Sequence, residues 1–300
     1  MNILKLNISK IIDIFETLPT TVVTPPQIAE ILRDMKEARE LPKSTTLHDF
    51  LDFILEATKL KAVTLKFPYR SFTRYTWGDI SIYSIVLSLA PASYFTHFTA
   101  MYFHKLTEQV PKTIYLNVEQ RPKAFKQREF QQYEIDAAFE KPVRVSKNVA
   151  SYRNHKICVL NGMYTGRLGI TAIDGPQNEE ASVTDIERTL VDITVSPVYS
   201  GGVCEVLKAY RMAKDRLSVD KLLATLKKLN HIYPYHQAVG FYLEKAGVYE
   251  ESSIEQLRKI NMNYDFYLTH QMKRACYSKK WQIYIPKDID YPPNGLPIST

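Results

Sequence analysis

Apolar residues recur at helical spacing through the first quarter of the chain. They predict three helices, and two short alternating stretches after them predict a β-hairpin around a turn at Pro68. Three helices followed by a hairpin are the parts of a winged helix-turn-helix, so we expect residues 1–78 to form a DNA-binding domain of that kind. The predicted elements are a helix over 8–18, helices beginning at Thr24-Pro25 and at Ser44-Thr45-Thr46, and strands over 63–67 and 73–77.

The hydrophobic pattern changes after residue 78, where most strands come early and most helices late. We therefore expect an α+β protein, in which the N-terminal domain is followed by a larger mixed α/β domain over 79–300. A proline-rich tail over 291–300 is expected to be flexible. The predicted elements of this second domain are strands over 113–118, 143–146, 156–160, 168–173 and 281–285, and helices over 202–213, 219–229, 235–246 and 253–260.

The stretch Thr184-Asp-Ile-Glu-Arg-Thr-Leu-Val-Asp-Ile-Thr lies between those strands and helices. Its apolar residues recur at helical spacing, and Thr184 with Glu187 three residues later predicts a capping box. Pro197 should end this helix, and Gly201-Gly202 should open the next one. The two helices are a plausible centre for the second domain. The charged residues at or beyond the edge of the apolar face are Glu187, Arg188 and Asp192.

Composition narrows the class of protein. The formal net charge of +7 and the isoelectric point near 9.0 are compatible with nucleic-acid binding without requiring it. Three scattered cysteines, without a CxxC pair, predict a reducing, cytoplasmic protein without structural disulfides or zinc. The N-terminus offers no signal-peptide core. Residues 80–103 carry no Asp, Glu, Lys or Arg but are too polar to span a membrane, so we expect a buried core there.

Charge patterning supports the DNA-binding prediction. Residues 59–77 contain five cations and no acidic side chain, as a wing that contacts phosphate requires. The third helix opens with short donors that could approach base edges in the major groove. Against this, Asp49, Asp52 and Glu56 lie on the same helix, so a helical protein-interaction module remains the alternative. The candidate DNA-binding residues are Lys43, Ser44, Thr45, Thr46, His48, Lys59, Lys61, Lys66, Arg70 and Arg74.

Basic residues gather again late in the chain, at Lys273, Arg274, Lys279 and Lys280 and along the preceding helices. Such clusters are commonly solvated surfaces, and a second surface for nucleic acid or an acidic partner is the alternative.

Candidate catalytic residues are few. His97 and His104 lie seven positions apart but lack a glutamate at zincin spacing, so we interpret them as core or capping histidines. A metal-dependent nuclease centre could be formed by Glu187, Asp192 and Asp174, although nothing in their spacing requires one. We expect no enzyme, no metal and no cofactor, and the nuclease remains the alternative.

Three segments of the second domain resemble the AbiEi-type antitoxins of bacterial abortive-infection systems, a family also described as transcriptional regulators. The first is similar to the family pattern Tyr-x-Ser-His-x-Ser-Ala-x-x-x-His-Gly-Leu-Thr, although Lys105 stands where the pattern has glycine. The second is similar to Glu-Arg-Thr-Leu-Leu-Asp…Pro…Gly-Gly, and the third to Arg-x-Gly-Tyr-Leu-Leu-Glu. The segments are Tyr94-Phe-Thr-His-Phe-Thr-Ala-Met-Tyr-Phe-His-Lys-Leu-Thr, then Glu187-Arg188-Thr189-Leu190-Val191-Asp192 with Pro197 and Gly201-Gly202, and Val239-Gly240-Phe241-Tyr242-Leu243-Glu244-Lys245-Ala246-Gly247.

The resemblance implies an antitoxin of a type IV toxin–antitoxin system. Its N-terminal winged helix would bind inverted repeats in double-stranded promoter DNA and repress its own operon. Its C-terminal domain would counter a nucleotidyltransferase-like toxin, and a direct complex between the two proteins is not assumed. The motif residues that carry the resemblance are His97, His104, Glu187, Arg188, Asp192, Gly201 and Gly202.

Overall fold

The computed structural model describes residues 3–122 and 131–289, so the predicted tail over 291–300 lies outside the described residues. The described chain is a mixed α+β protein. Its helices are α1 (Ile3–Leu6), α2 (Ile8–Thr17), α3 (Pro25–Glu37), α4 (Leu47–Ala57), α5 (Ile82–Leu87), α6 (His97–Phe103), α7 (Gln132–Glu140), α8 (Ile186–Val195), α9 (Val203–Met212), α10 (Val219–Leu229), α11 (Tyr235–Ala246) and α12 (Glu251–Arg258). Its strands are β1 (Val22–Val23), β2 (Leu60–Lys66), β3 (Ser71–Trp77), β4 (Tyr94–Phe95), β5 (Thr113–Asn117), β6 (Val149–Tyr152), β7 (His155–Leu160), β8 (Ile170–Asp174), β9 (Glu180–Thr184), β10 (Phe266–Tyr267), β11 (Ala275–Ser278) and β12 (Ile283–Pro286).

The N-terminal region contains the three predicted helices and the predicted hairpin. Thr24 begins α3 with Pro25 at its first position, and the Thr24 backbone N–H donates to Gln27 Oε1 at 2.8 Å. β2 and β3 pair antiparallel from Leu60↔Trp77 to Lys66↔Ser71, and β1 adds a third strand in the order β1-β3-β2. A hydrophobic cluster that includes Ile11, Ile28 and Phe50 joins the helices to this sheet.

A six-stranded mixed sheet forms the middle of the molecule in the order β6-β7-β5-β4-β9-β8. The β5–β7 and β4–β9 pairs are parallel and the others antiparallel. The charge-free stretch 80–103 contributes Tyr83, Val86 and Phe95 to the hydrophobic core beside this sheet, as predicted. None of the helices among the described residues is long and apolar enough to cross a membrane.

The same core also receives one face of the N-terminal hairpin. Val63, Leu65 and Phe67 of β2 and its end are buried together with side chains of α5 and of the six-stranded sheet. The hydrophobic cluster therefore crosses the predicted domain boundary at residue 78, and the hairpin packs directly on the second domain.

Helices α8 to α11 and a small C-terminal sheet, ordered β10-β12-β11, enclose the largest hydrophobic cluster. Trp281 is fully buried in it, and a Cβ added to Gly240 of α11 would lie 2.1 Å from the Trp281 ring. The Trp281 indole N–H donates to Glu244 Oε2 at 2.6 Å. Gly240 and Glu244, two residues of the third segment that resembles the AbiEi-type family, therefore have a structural role: they contact the buried side chain of Trp281.

Two secondary-structure predictions were wrong. Residues 143–146 are irregular, and the strand of this region is β6, which begins three positions after residue 146. The polar region before it contains helix α7, where no helix was predicted. Its apolar positions Ile135 and Phe139 are buried but too few to show helical spacing clearly among charged neighbours.

Candidate functional site

The N-terminal end of α4 presents the predicted donors at the surface. Thr46 caps the helix, because its Oγ1 accepts from the Asp49 N–H at 3.1 Å. Asp49 Oδ2 in turn accepts from the Thr46 N–H at 3.3 Å, and the hydrogen bonds from Thr46 lower the pKa of Asp49. Lys43, Ser44 and His48 are exposed, whereas Thr45 is half-buried.

The rest of the exposed surface of α4 is acidic. Asp52 and Glu56 are exposed one and two turns further along, and His48 Nε2 lies 3.3 Å from Asp52 Oδ2. A phosphate backbone would be repelled along this part of the helix. The first turn also carries the exposed carboxylate of Asp49, which Thr46 binds, so the donors of this turn and of the loop before it are the part of the helix best suited to face DNA.

The hairpin tip carries the second part of the surface. Lys66 and Arg70 are exposed on either side of the turn, and among the described residues no carboxylate lies at ion-pair distance from either. The Arg70 guanidinium lies 4.4 Å from the centre of the Phe72 ring, which holds the cation in place. Tyr69 between them is 88% exposed, which makes it the most exposed of the large hydrophobic side chains among the described residues.

The other three cations of this stretch are engaged within the protein. Lys59 pairs with Glu16 at 3.0 Å, and Lys61 pairs with Asp79 at 2.6 Å. Arg74 is only 8% exposed, and its guanidinium donates to the Ser88 carbonyl at 2.8 Å and to Ser88 Oγ at 3.0 Å. Arg74 therefore joins the hairpin to the second domain and does not face the solvent as a phosphate contact would. Lys66 and Arg70 are the cations of the predicted wing that remain free to bind.

The start of α8 differs from the prediction. Thr184 is the last residue of β9, and the cap is Asp185, whose Oδ1 accepts from the Arg188 N–H at 2.8 Å. Glu187 is consequently not part of a capping box. Its carboxylate instead accepts from Lys221 Nζ at 2.8 Å and from the Ser218 N–H at 3.1 Å. Burial raises the pKa of Glu187, but these donors outweigh burial and leave the pKa below its usual value.

A buried ion pair lies one turn further along α8. Arg188 Nε donates to Asp192 Oδ1 at 2.7 Å, and both side chains are almost fully buried. Arg188 Nη1 also donates to the Leu168 carbonyl at 2.9 Å, and Asp192 Oδ2 accepts from Thr96 Oγ1 at 2.9 Å. Burial acts to lower the pKa of Arg188, but the Asp192 charge outweighs it and the pKa is raised. The pair thus joins α8 to β4 and to the β7–β8 connection.

Glycines with a positive φ lie next to this pair and at the end of α8. Gly169 has φ +68°, and a Cβ there would lie 2.8 Å from Arg188 Cβ. Pro197 follows the end of α8, as predicted, and Gly201 and Gly202 have φ +81° and +92° at the turn into α9. Together they shape the corner between α8 and α9.

The two motif histidines are both packed inside the second domain. His97 Nδ1 lies 3.1 Å from Thr96 Oγ1, and its ring contacts the Tyr199 ring edge-on at 5.3 Å. Burial lowers the pKa of His97 to about 4. His104 caps the end of α6 and donates from Nε2 to the Thr184 carbonyl, and burial lowers its pKa as well. Lys105 after it has φ +54°, a left-handed conformation that glycine adopts more readily than lysine.

The carboxylates considered for a nuclease do not converge. Glu187 is bound by Lys221, and Asp192 is bound by Arg188. Asp174 lies at the end of β8, paired with Glu180 across the sheet. Within residues 3–122 and 131–289, no group of three or more His, Cys, Asp or Glu side chains could hold a metal ion.

Sequence reasoning missed the partners of these motif residues. Lys221 and Thr96 meet Glu187 and Asp192 from elements 34 and 96 positions away, so no local pattern indicates them. Tyr69 could have been found, because an aromatic residue between proline and arginine in a predicted turn has no core to enter.

Comparisons with known proteins bear on the fold. No protein-family model matches the sequence, and no curated protein matches it. The fold is similar to the crystal structure of the RV2827C protein from Mycobacterium tuberculosis, with a TM-score of 0.58 over 92% of this chain and 90% of that chain. The two sequences are 10% identical, so the similarity concerns the fold alone.

Proposed function

We propose that this protein is an antitoxin of the AbiEi type, whose N-terminal region is a winged helix-turn-helix that binds promoter DNA. It would repress its own operon, and its second domain would counter a nucleotidyltransferase-like toxin. The observation that carries the DNA-binding half is the presence of two exposed surfaces, the polar donors with Lys43 at the start of α4 and the two cations Lys66 and Arg70 at the hairpin tip.

The order of elements supports the winged-helix assignment. α2, β1, α3, α4, β2 and β3 follow one another, and the three strands assemble as β1-β3-β2. In such a domain α4 is the recognition helix and the β2–β3 hairpin is the wing. The helix would enter the major groove by its first turn, since that end carries the donors and the positive helix dipole.

Contacts then divide into two kinds. Ser44, Thr46 and His48 would reach base edges, whereas Lys43, Lys66 and Arg70 would hold phosphates on either side. The acidic surface at Asp52 and Glu56 would face away from the duplex. This arrangement uses the N-terminal end of α4 and not its length.

The antitoxin half rests on the resemblance of the three segments. Their best-matched residues form the Arg188–Asp192 ion pair and the contacts to Trp281, so they support a shared fold of the second domain. Because Arg188, Asp192 and Trp281 are buried, we expect other residues to counter the toxin.

A gel shift on the protein's own upstream region tests the DNA-binding half. We expect a sequence-specific complex that persists near physiological salt. Lys66→Ala combined with Arg70→Ala should weaken binding to all sequences alike and flatten the slope of log affinity against log salt by about 2, since each phosphate contact contributes about 0.9. Ser44→Ala should instead cost about 1–3 kcal/mol on the specific site only.

The matched control is Lys59→Ala with Lys61→Ala, which removes two cations of the same hairpin that are already paired with Glu16 and Asp79. Its salt slope should stay close to that of the unchanged protein. An unchanged slope in the Lys66/Arg70 variant would show that the wing assignment is wrong. No binding above background would favour the protein-interaction module, and cleavage of labelled DNA on addition of Mg²⁺ or Mn²⁺ would favour the nuclease.

A further inference from the structure

Three tyrosines stand in a row across the small C-terminal sheet, and the row meets the main hydrophobic cluster at one end, through Tyr267 and Phe139. Phe266, Ile283 and Ser278 stand side by side across β10, β12 and β11, and the first two are buried in the main hydrophobic cluster. The next position on each strand places Tyr267, Tyr284 and Tyr277 side by side on the other face, because side chains alternate along a strand. We call these three residues the tyrosine row.

The rings of the row form part of a longer aromatic column. Tyr267 and Tyr284 stack with centres 5.0 Å apart and planes 20° apart, and Tyr277 lies 5.0 Å from Tyr284 at 51°. Behind Tyr267 the column continues through Phe139, 5.5 Å away, to His270. Hydrogen bonds from the hydroxyls of Tyr267 and Tyr277 to Asp136 and Asp265 hold the rings in place.

The outer end of this column is open. Tyr277 is 43% exposed and belongs to β11, the edge strand of the sheet, so no further strand covers the side away from Tyr284. A cavity of about 340 Å³ adjoins the other side of the row, between Phe139, Tyr267, Lys273 and Ala275. An aromatic molecule could therefore extend the column at Tyr277 or enter beside Tyr267.

Both signs of charge lie near the row. The carboxylates of Asp136 and Asp265 accept from its hydroxyls and Glu140 lines the adjoining cavity, whereas the chain segment that carries the row is rich in cations. Residues 265–289 carry five cations against two carboxylates, Asp265 and Asp288. Of the cations, Lys280 pairs with Glu244, whereas Lys273 and Lys279 are exposed without a carboxylate at ion-pair distance among the described residues. Lys273 lies before β11 and Lys279 lies in the turn that follows it, so the two lysines flank Tyr277 along the chain.

We propose that the tyrosine row and the lysines beside it form a binding site for single-stranded nucleic acid, separate from the double-stranded DNA surface of the N-terminal region. An unpaired base would stack on the free side of Tyr277, and neighbouring phosphates would contact Lys279 and Lys273. Stacking on an aromatic ring requires an open base face, which a single strand offers and a duplex does not. Every base has such a face, so the site would tolerate many sequences.

Fluorescence anisotropy with the full-length protein tests this site. The probes are fluorescein-labelled ten-nucleotide single strands of mixed sequence, one of RNA and one of DNA, with a duplex of the same length for comparison. We expect saturable binding of a single strand, weakened about fivefold or more by Tyr277→Ala and retained by Tyr277→Phe, which keeps the ring. Lys279→Ala should flatten the salt slope by about 0.7. Tighter binding of the RNA strand would identify RNA as the ligand, and equal binding would show that the site accepts single-stranded RNA and DNA alike.

Matched controls are Tyr164→Ala, at a tyrosine that is 52% exposed elsewhere, and Lys156→Ala on β7. Both should bind as the unchanged protein does. Absence of saturable binding, or equal affinity in the Tyr277→Ala variant, would overturn the proposal. If Tyr277→Ala failed to fold, Lys279→Ala would still decide, because its side chain is exposed. If the Lys66/Arg70 variant alone lost single-strand binding, the single strand would bind at the N-terminal surface and not at the tyrosine row. The promoter gel shift is a separate measurement, and its result does not depend on Tyr277 or Lys279.

Discussion

Replacing Arg188 by alanine should strongly destabilise the second domain. The change removes the hydrogen bonds to Asp192 and to the Leu168 carbonyl and leaves the Asp192 carboxylate buried with Thr96 as its remaining hydrogen-bond donor. Breaking a buried ion pair by removing one partner costs about 3–5 kcal/mol, because the other charge remains without compensation. For a 300-residue chain that unfolds as one unit, the entropy of unfolding is about 0.6 kcal/mol per degree. The melting temperature should therefore fall by about 6 °C.

A double-mutant cycle separates the pair from its surroundings. Arg188→Ala, Asp192→Ala and the double variant are compared by urea denaturation, and the double variant should cost less than the sum of the single variants. Arg33→Ala is the control, because Arg33 pairs with Glu30 on the exposed surface of α3, where both side chains are about 60% exposed. Exposed pairs contribute about 0–1 kcal/mol, so its melting temperature should hardly change.

The refuting result is an Arg188→Ala protein that melts as the unchanged protein does. If such a protein had also lost the proposed ability to counter a toxin, the motif would act in function and not in folding. The assay of this proposed activity is growth of cells that express a candidate toxin together with each variant, with the amount of folded protein measured in parallel.

Two further predictions concern stability. Burial lowers the pKa of His97 and of His231 to about 4. Between pH 6.5 and pH 4 the unfolded chain therefore binds protons that the folded chain does not. As the pH is lowered through this range, the free energy of unfolding should decrease by at most about 1.4 kcal/mol per pH unit for each histidine. Urea denaturation at pH 7 and pH 5 measures this; His97→Asn should reduce the difference, the exposed His48→Asn should not, and equal stability at both pH values would contradict the burial. Gly240→Ala should cost about 1–3 kcal/mol, because the added methyl group would overlap the Trp281 ring, and an unchanged denaturation midpoint would show that α11 and Trp281 are not packed in this way.

Local patterns predicted the N-terminal region well. The Thr24-Pro25 start of α3, the two strands of the hairpin and the long amphipathic helices α10 and α11 follow from spacing, caps and turns within a few residues. In each case the residues that decide the element are neighbours in sequence. Gly247 ends α11 in the left-handed conformation, so the end of this helix is also decided by a residue beside it.

The candidate site was less predictable, because the contacts of its side chains are made with residues that are distant in sequence. A run of five cations looks uniform in sequence, yet Glu16, Asp79 and Ser88 engage three of them and leave two. At the start of α8, Asp185 and Thr184 are both good caps, and β9 decides between them by extending through Thr184. Tertiary contacts thus select among alternatives that propensity leaves nearly equal.

The hairpin that packs on the second domain has a consequence for dissecting this protein. Val63, Leu65 and Phe67 are buried only because α5 and the six-stranded sheet cover them. A fragment cut at residue 78 would expose these side chains on a flat β-surface, which promotes aggregation. If such a fragment lost the proposed operator binding, the exposed hairpin would explain the loss. The result would not show that the second domain takes part in reading DNA. Surface substitutions in the intact chain are the cleaner way to assign each activity to its region.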